Sequence, residues 1–196
     1  PPPPPLPPPP TPPPPSPPPP VMRYECAVAS SCNLEELLST MCADAGLPVE
    51  LQLANGSYSL PHPTPSAVAN DGQRALQSQP AGPQMGNPGF RFDGVNASEI
   101  WVRGDGGVEI SAPFDSPLFV LSQPGLRLTL QGLVIRGQVM VHSGELRLVG
   151  CTFKGGTAQE GGALHVRSGS VTAESSTFVG NAAARLGGAV YLAQGE

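Results

Sequence analysis

Charge, aromatic side chains and long apolar runs are all scarce in this sequence. Charged residues make up 13% and aromatics 5% of the 196 residues, a composition that excludes a helical bundle and suits many short strands joined by glycine turns. The net charge is -5, with a single lysine, Lys154, and scattered arginines. No basic stripe is available to neutralise phosphates, so nucleic acid is not an expected partner. No apolar run approaches the roughly 18 residues that cross a bilayer, and no membrane span is expected within the chain. His62 and His142 have no Cys, His or carboxylate neighbours at ligand spacing, so neither a metal nor any other cofactor is expected.

Glycine (24) and proline (27) are plentiful, and much of the glycine recurs in order. The stretch from Gly144 to Val166 lies over the stretch from Gly169 to Leu192. An offset of 25 places Phe153 on Phe178 and Gly155 on Gly180, and one inserted residue before Gly187 then brings Leu164-His165-Val166 onto Val190-Tyr191-Leu192. Repetition at this period is the mark of a solenoid. The alignment extends back to Gly125. Leu128, Leu146 and Val171 share one position, and Leu130, Leu148 and Ala173 the next. Then come Leu133, Cys151 and Ser176, followed by Ile135, Phe153 and Phe178. Past the glycine turn, Val139, Leu164 and Val190 align, as do Val141, Val166 and Leu192. Each set is expected to stack inward with members about 4.8 Å apart. Outward residues such as Thr129, Arg147 and Thr172 alternate with them, which predicts a wet outer face.

The rest of the chain divides by composition. Residues 1–22 form a proline-rich tract interrupted every fifth position by Leu6, Thr11 and Ser16; with φ fixed and almost no backbone donors, residues 1–20 predict a polyproline II rod about 60 Å long. Residues 24–60 read as an N-terminal cap. Asn33 is placed as N-cap with Glu36 at N3, Leu34, Leu37, Leu38 and Met41 share a face, and Gly46 stops the helix. Strand alternation follows at Val49, Leu51 and Leu53 and, after Asn55-Gly56, at Tyr58 and Leu60. Residues 61–89 lack periodicity and read as a long loop or insertion. Residues 90–196 carry the coils, the last of them expected to be cut off after Leu192.

Three resemblances arise from these residues. The unit Ser16-Pro17-Pro18-Pro19-Pro20 resembles the Ser-Pro4 block of extensins, the hydroxyproline-rich glycoproteins of plant and algal cell walls. Helix, strand and Gly-x-Tyr in that order resemble the start of right-handed parallel β-helices of the pectin-lyase-like superfamily, where the helix plugs the end of the core. Phe178-Val-Gly-Asn181, with Gly161-Gly-Ala-Leu164 and Gly187-Gly-Ala-Val190, resembles the FxxN and GGA-I/L/V motifs of chlamydial polymorphic outer membrane protein repeats. The first copy departs from that pattern, since Phe153-Lys-Gly-Gly156 has glycine in place of Asn. These resemblances imply an all-β, right-handed single-stranded parallel β-helix, and a secreted or outer-membrane passenger associated with adhesion.

Chemistry is sparse. Asp105 and Glu109 flank one glycine loop, Glu145 and Glu174 occupy different coil positions, and no acidic residue repeats along a ladder, so no catalytic residue is expected. Met140, His165 and Tyr191 fall at the outward centre of successive strands and are candidates for a sugar-contacting platform. Arg136 above Lys154 gives two neighbouring positive charges that suit an acidic glycan. Cys26, Cys32 and Cys42 are candidate disulfide partners whose pairing the sequence leaves open, and Cys151 is expected to point into the core. Asn55-Gly-Ser57 and Asn96-Ala-Ser98 are N-glycosylation sequons. The reading is a non-enzymatic extracellular, wall-associated or surface protein acting in adhesion, envelope structure or glycan contact. The alternative is a fragment of a polysaccharide lyase or glycoside hydrolase whose catalytic coils lie beyond Glu196.

Overall fold

The computed structural model describes residues 20–43, 46–60, 89–92, 94–112 and 117–194. The polyproline tract, except for its last residues, and most of the loop expected over 61–89, His62 included, lie outside the described residues. Within them the chain is all-β with parallel sheets: sixteen strands, one α-helix and one 3-10 turn. Every strand pairing is parallel.

The first elements are β1 (Met22–Cys26), a 3-10 turn (Ala29–Ser31), α1 (Leu34–Ala43), β2 (Val49–Leu53) and β3 (Gly56–Ser59). Asn33 caps α1 as its spacing predicts: the Asn33 Oδ1 accepts the Glu36 N–H at 3.2 Å. Leu34, Leu38 and Met41 are fully buried and Leu37 is half-buried, in one cluster with Val49, Leu51 and Leu53. α1 spans Leu34–Ala43, and Gly46, the expected helix stop, has φ +87°.

Strands then alternate between two sheets. β4 (Phe90–Phe92), β6 (Pro117–Leu121), β8 (Gln138–Val141), β12 (Leu164–Val166) and β16 (Val190–Leu192) make a five-stranded sheet. β5 (Glu99–Ser111), β7 (Arg127–Arg136), β9 (Glu145–Val149), β10 (Thr152–Lys154), β13 (Ser170–Glu174) and β14 (Thr177–Val179) join β1, β2 and β3 in a nine-stranded sheet. β11 (Thr157–Glu160) and β15 (Ala182–Leu186) form a third, two-stranded sheet. The registers match the aligned sequence positions: Leu128 with Leu146 and Leu146 with Val171, Ile135 with Phe153 and Phe153 with Phe178, Val139 with Leu164 and Leu164 with Val190.

Period-2 alternation decides which side is dry. Ile100, Val102, Leu128, Leu130, Leu146 and Leu148 are fully buried, while Arg127, Gln131 and Arg147 between their strands are exposed. Burying each such aliphatic side chain contributes roughly 1.5–3 kcal/mol, which makes these ladders the main stabilising term. Strands β13, β14, β15 and β16 each have one neighbour. Their inward residues are correspondingly more open: Phe178 and Val190 are half-buried and Leu192 is 51% exposed.

The strand limits differ from the sequence reading in three places. β1 and β4 extend the sheets where no strand was expected, and β1 begins at Met22, inside the tract read as proline-rich. β5 runs unbroken through Gly104-Asp105-Gly106-Gly107, where a turn was expected, because a register shift between Arg103 and Val108 absorbs the extra residues. β7 likewise runs through Gly132 at φ +65°, where an added Cβ would sit 2.6 Å from the Gly104 carbonyl oxygen. Those two glycines therefore let adjacent strands bend together at one place.

Candidate functional site

The outward centre of the five-stranded sheet carries one residue from each strand. Arg91 pairs with Val120, Val120 with Met140, Met140 with His165, and His165 with Tyr191. Val120 is buried, whereas Met140, His165 and Tyr191 are partly open to solvent. The sequence alignment anticipates this triad, and the structure brings its members side by side. The His165 and Tyr191 rings meet edge to face with centroids 5.2 Å apart.

Two residues just past the strand ends complete the patch. The backbone N–H of His142 donates to the Leu121 carbonyl at 2.7 Å, and that of Arg167 donates to the Val141 carbonyl at 2.8 Å. The bonding pattern of the parallel ladder thus continues one residue beyond β8 and β12, so His142 and Arg167 occupy equivalent places on neighbouring strands. Burial pushes the His142 imidazole below its ordinary pKa, and Arg167, Arg91 and His165 push it the same way. Burial also lowers His165; Glu160 opposes that shift and Arg167 adds to it. In the sequence His142 reads only against a metal-ligand role, and Arg167 belongs to no motif. The available signal was their position directly after the aligned residues Val141 and Val166.

Arg136 and Lys154 lie on the nine-stranded sheet, apart from this triad. The Arg136 guanidinium Nε donates to Glu109 Oε1 at 2.6 Å. Of the expected pair of neighbouring positive charges, Arg136 is thus ion-paired, because its strand partner Ser111 lies two residues from that acid, whereas Lys154 is exposed. Arg23 and Arg103 share Glu50, Arg127 bridges Glu99 and Glu145, and Arg147 meets Glu174. The carboxylates of the glycine loop are likewise engaged, Asp105 accepting from Gln52 Nε2 at 2.6 Å and Glu109 from Arg136. Among the described residues, no group of three His, Cys, Asp or Glu side chains lies close enough together to hold a metal ion.

Of the three cap cysteines, Cys26 and Cys32 form the disulfide. Cys42 stands outside it, half-buried on α1. Cys151 is buried, its Sγ donating to the Leu130 carbonyl at 3.2 Å, and burial raises its thiol pKa. Asn55 and Asn96 are both exposed. No helix among the described residues is long and apolar enough to cross a membrane. The chain matches no protein-family model, no curated protein and no solved structure at a significant level.

Proposed function

We propose that the chain is a right-handed parallel β-helix of the secreted or surface-displayed kind, which contacts glycans in adhesion or in a cell wall or envelope, without catalysis. The observation that carries this reading is the triad Met140, His165 and Tyr191. Three side chains with apolar surface and polar or aromatic edges stand in register on the solvent side of a rigid sheet. A sugar ring presents apolar C–H faces between hydroxyl groups, and a half-open His–Tyr pair, its rings set edge to face, offers it aromatic surface and hydrogen-bonding edges. The Cys26–Cys32 disulfide supports an oxidising compartment. The nine-stranded sheet favours a structural role, since its arginines are paired with carboxylates.

The test is retention of the purified chain on a panel of immobilised polysaccharides, combined with chromatography of the glycans afterwards. Retention should be lost in a His165→Ala, Tyr191→Ala double variant that keeps its melting temperature, and the glycans should come back unshortened. Shortened or unsaturated products, or retention indifferent to the double substitution, would overturn the reading.

A further inference from the structure

On the nine-stranded sheet and its neighbour, Arg23, Arg103, Arg127, Arg136, Arg147 and Arg185 all meet a carboxylate within 4.0 Å, while Lys154 is exposed with no ion pair among the described residues. The patch on the five-stranded sheet is built differently. Arg167 is exposed and has no ion pair among the described residues. Beside it stand His142 and His165, two of the three histidines in the chain. The acid facing His165 is Glu160, which itself reaches Arg185 at 3.9 Å. Arg91, from β4, adds to the positive field at His142. Arg167 thus places beside the two imidazoles a positive charge that no ion pair offsets among the described residues, on a protein whose net charge is negative.

We propose that His142, His165 and Arg167, with Tyr191 as the flanking ring, form a site for the anionic groups of a sulfated or carboxylated glycan. The inference rests on the reading of this sheet as a glycan-contacting face and names the chemistry of its ligand. Arg167 provides a permanent charge with forked donors suited to a planar or tetrahedral oxyanion. His142 sits one strand spacing from it and His165 two residues before it on the same strand, and both add charge only when protonated. An anion bound between these groups offsets the repulsion of Arg167 and favours that protonation, so binding and proton uptake reinforce each other. The site therefore grips its ligand more tightly as the medium acidifies.

The experiment compares short dextran sulfate, a uronate oligomer, neutral dextran of the same length and polyglutamate by calorimetric titration at several pH values. Dextran sulfate or the uronate should bind and neutral dextran should bind at least about tenfold more weakly, with affinity rising roughly fivefold or more from about pH 8 to about pH 5. Arg167→Gln should weaken binding at every pH, and His142→Gln with His165→Gln should flatten the pH dependence. Arg147→Gln, on the other sheet, should change neither. Imidazole chemical shifts of the unaltered chain give a second readout: the two titration midpoints should rise when the anionic glycan is added. Equal binding of charged and neutral dextran would overturn the anion site while leaving the glycan reading standing. Equal binding of polyglutamate would keep the anion site and overturn the sugar. Binding of none of the four probes would overturn both.

Discussion

Asn181 holds the turn of the preceding repeat through Gly156, the residue that takes its own place in that repeat. Its Oδ1 accepts the Gly156 N–H at 2.8 Å and its Nδ2 donates to the Phe153 carbonyl at 3.1 Å. Gly156 is buried, and a Cβ there would lie 2.2 Å from the Gly162 carbonyl oxygen. The departure of the first copy from the FxxN pattern thus has a steric cause. Asn181→Ala leaves two backbone groups without their partner and should destabilise the fold by about 1–3 kcal/mol in chemical denaturation. Gly156→Asn, which would restore the motif, should destabilise as well. A stabilised Gly156→Asn variant would contradict the packing described for this turn.

Cys151 lies in register with Leu133, and both are buried to 1% exposure. The thiol should resist alkylation in the folded protein and react on denaturation, as mass mapping of the labelled peptides will show. Cys151→Ala should cost about 1 kcal/mol or slightly more for a small cavity, and Cys151→Arg should prevent folding. Rapid labelling of Cys151 in the native protein would reverse the inward and outward assignments of its strand.

Much of this was legible in the sequence. A buried side must be apolar at every second residue, and in a parallel stack it must be so at the same place in each repeat, so Leu128, Leu146 and Val171 announce their ladder. The disulfide partners were not legible, because three cysteines within a short segment leave the pairing to the path of β1 past the 3-10 turn. The strand through Gly104–Gly107 was hidden for a different reason: glycine marks a turn and a bulge with the same letter, and only the neighbouring strand's Gly132 decides between them. The patch at His142 and Arg167 escaped notice since neither residue lies inside a repeating strand. Its charge becomes informative only once the ion pairs elsewhere on the surface are known.

The histidines also set the acid limb of stability. Folding lowers the pKa of both His142 and His165, so the unfolded chain binds more protons in that range. Their contribution is present above the unfolded value of about 6.5 and is lost as pH falls through the lower folded values. The melting temperature should decline with acidification below about pH 6.5, and less so in a His142→Gln, His165→Gln variant. Added anionic glycan should counter the decline in the unaltered chain. A melting temperature that rises toward acid in this window would show the opposite sign of shift.

The Cys26–Cys32 disulfide closes a short loop, with a sequence separation of 6, between β1 and α1. Mild reduction, or Cys26→Ala with Cys32→Ala, should cost about 2 kcal/mol. Glycan retention below the new melting temperature should be unchanged, because the Met140, His165 and Tyr191 face belongs to the other end of the strand order. Loss of retention in the folded, reduced protein would tie the cap to the site.

The register that stacks His165 between Met140 and Tyr191 underlies both the fold and the proposed binding face, and nuclear Overhauser contacts in the isotope-labelled protein test it most directly. The account predicts contacts from the His165 ring to the Met140 methyl and to the Tyr191 ring, together with contacts between Phe153 and Phe178, whose rings stack at 5.0 Å. Contacts from His165 to Val190 or Leu192 in place of Tyr191 would mean a strand slipped by one residue, with its outward face turned inward, and would contradict the account.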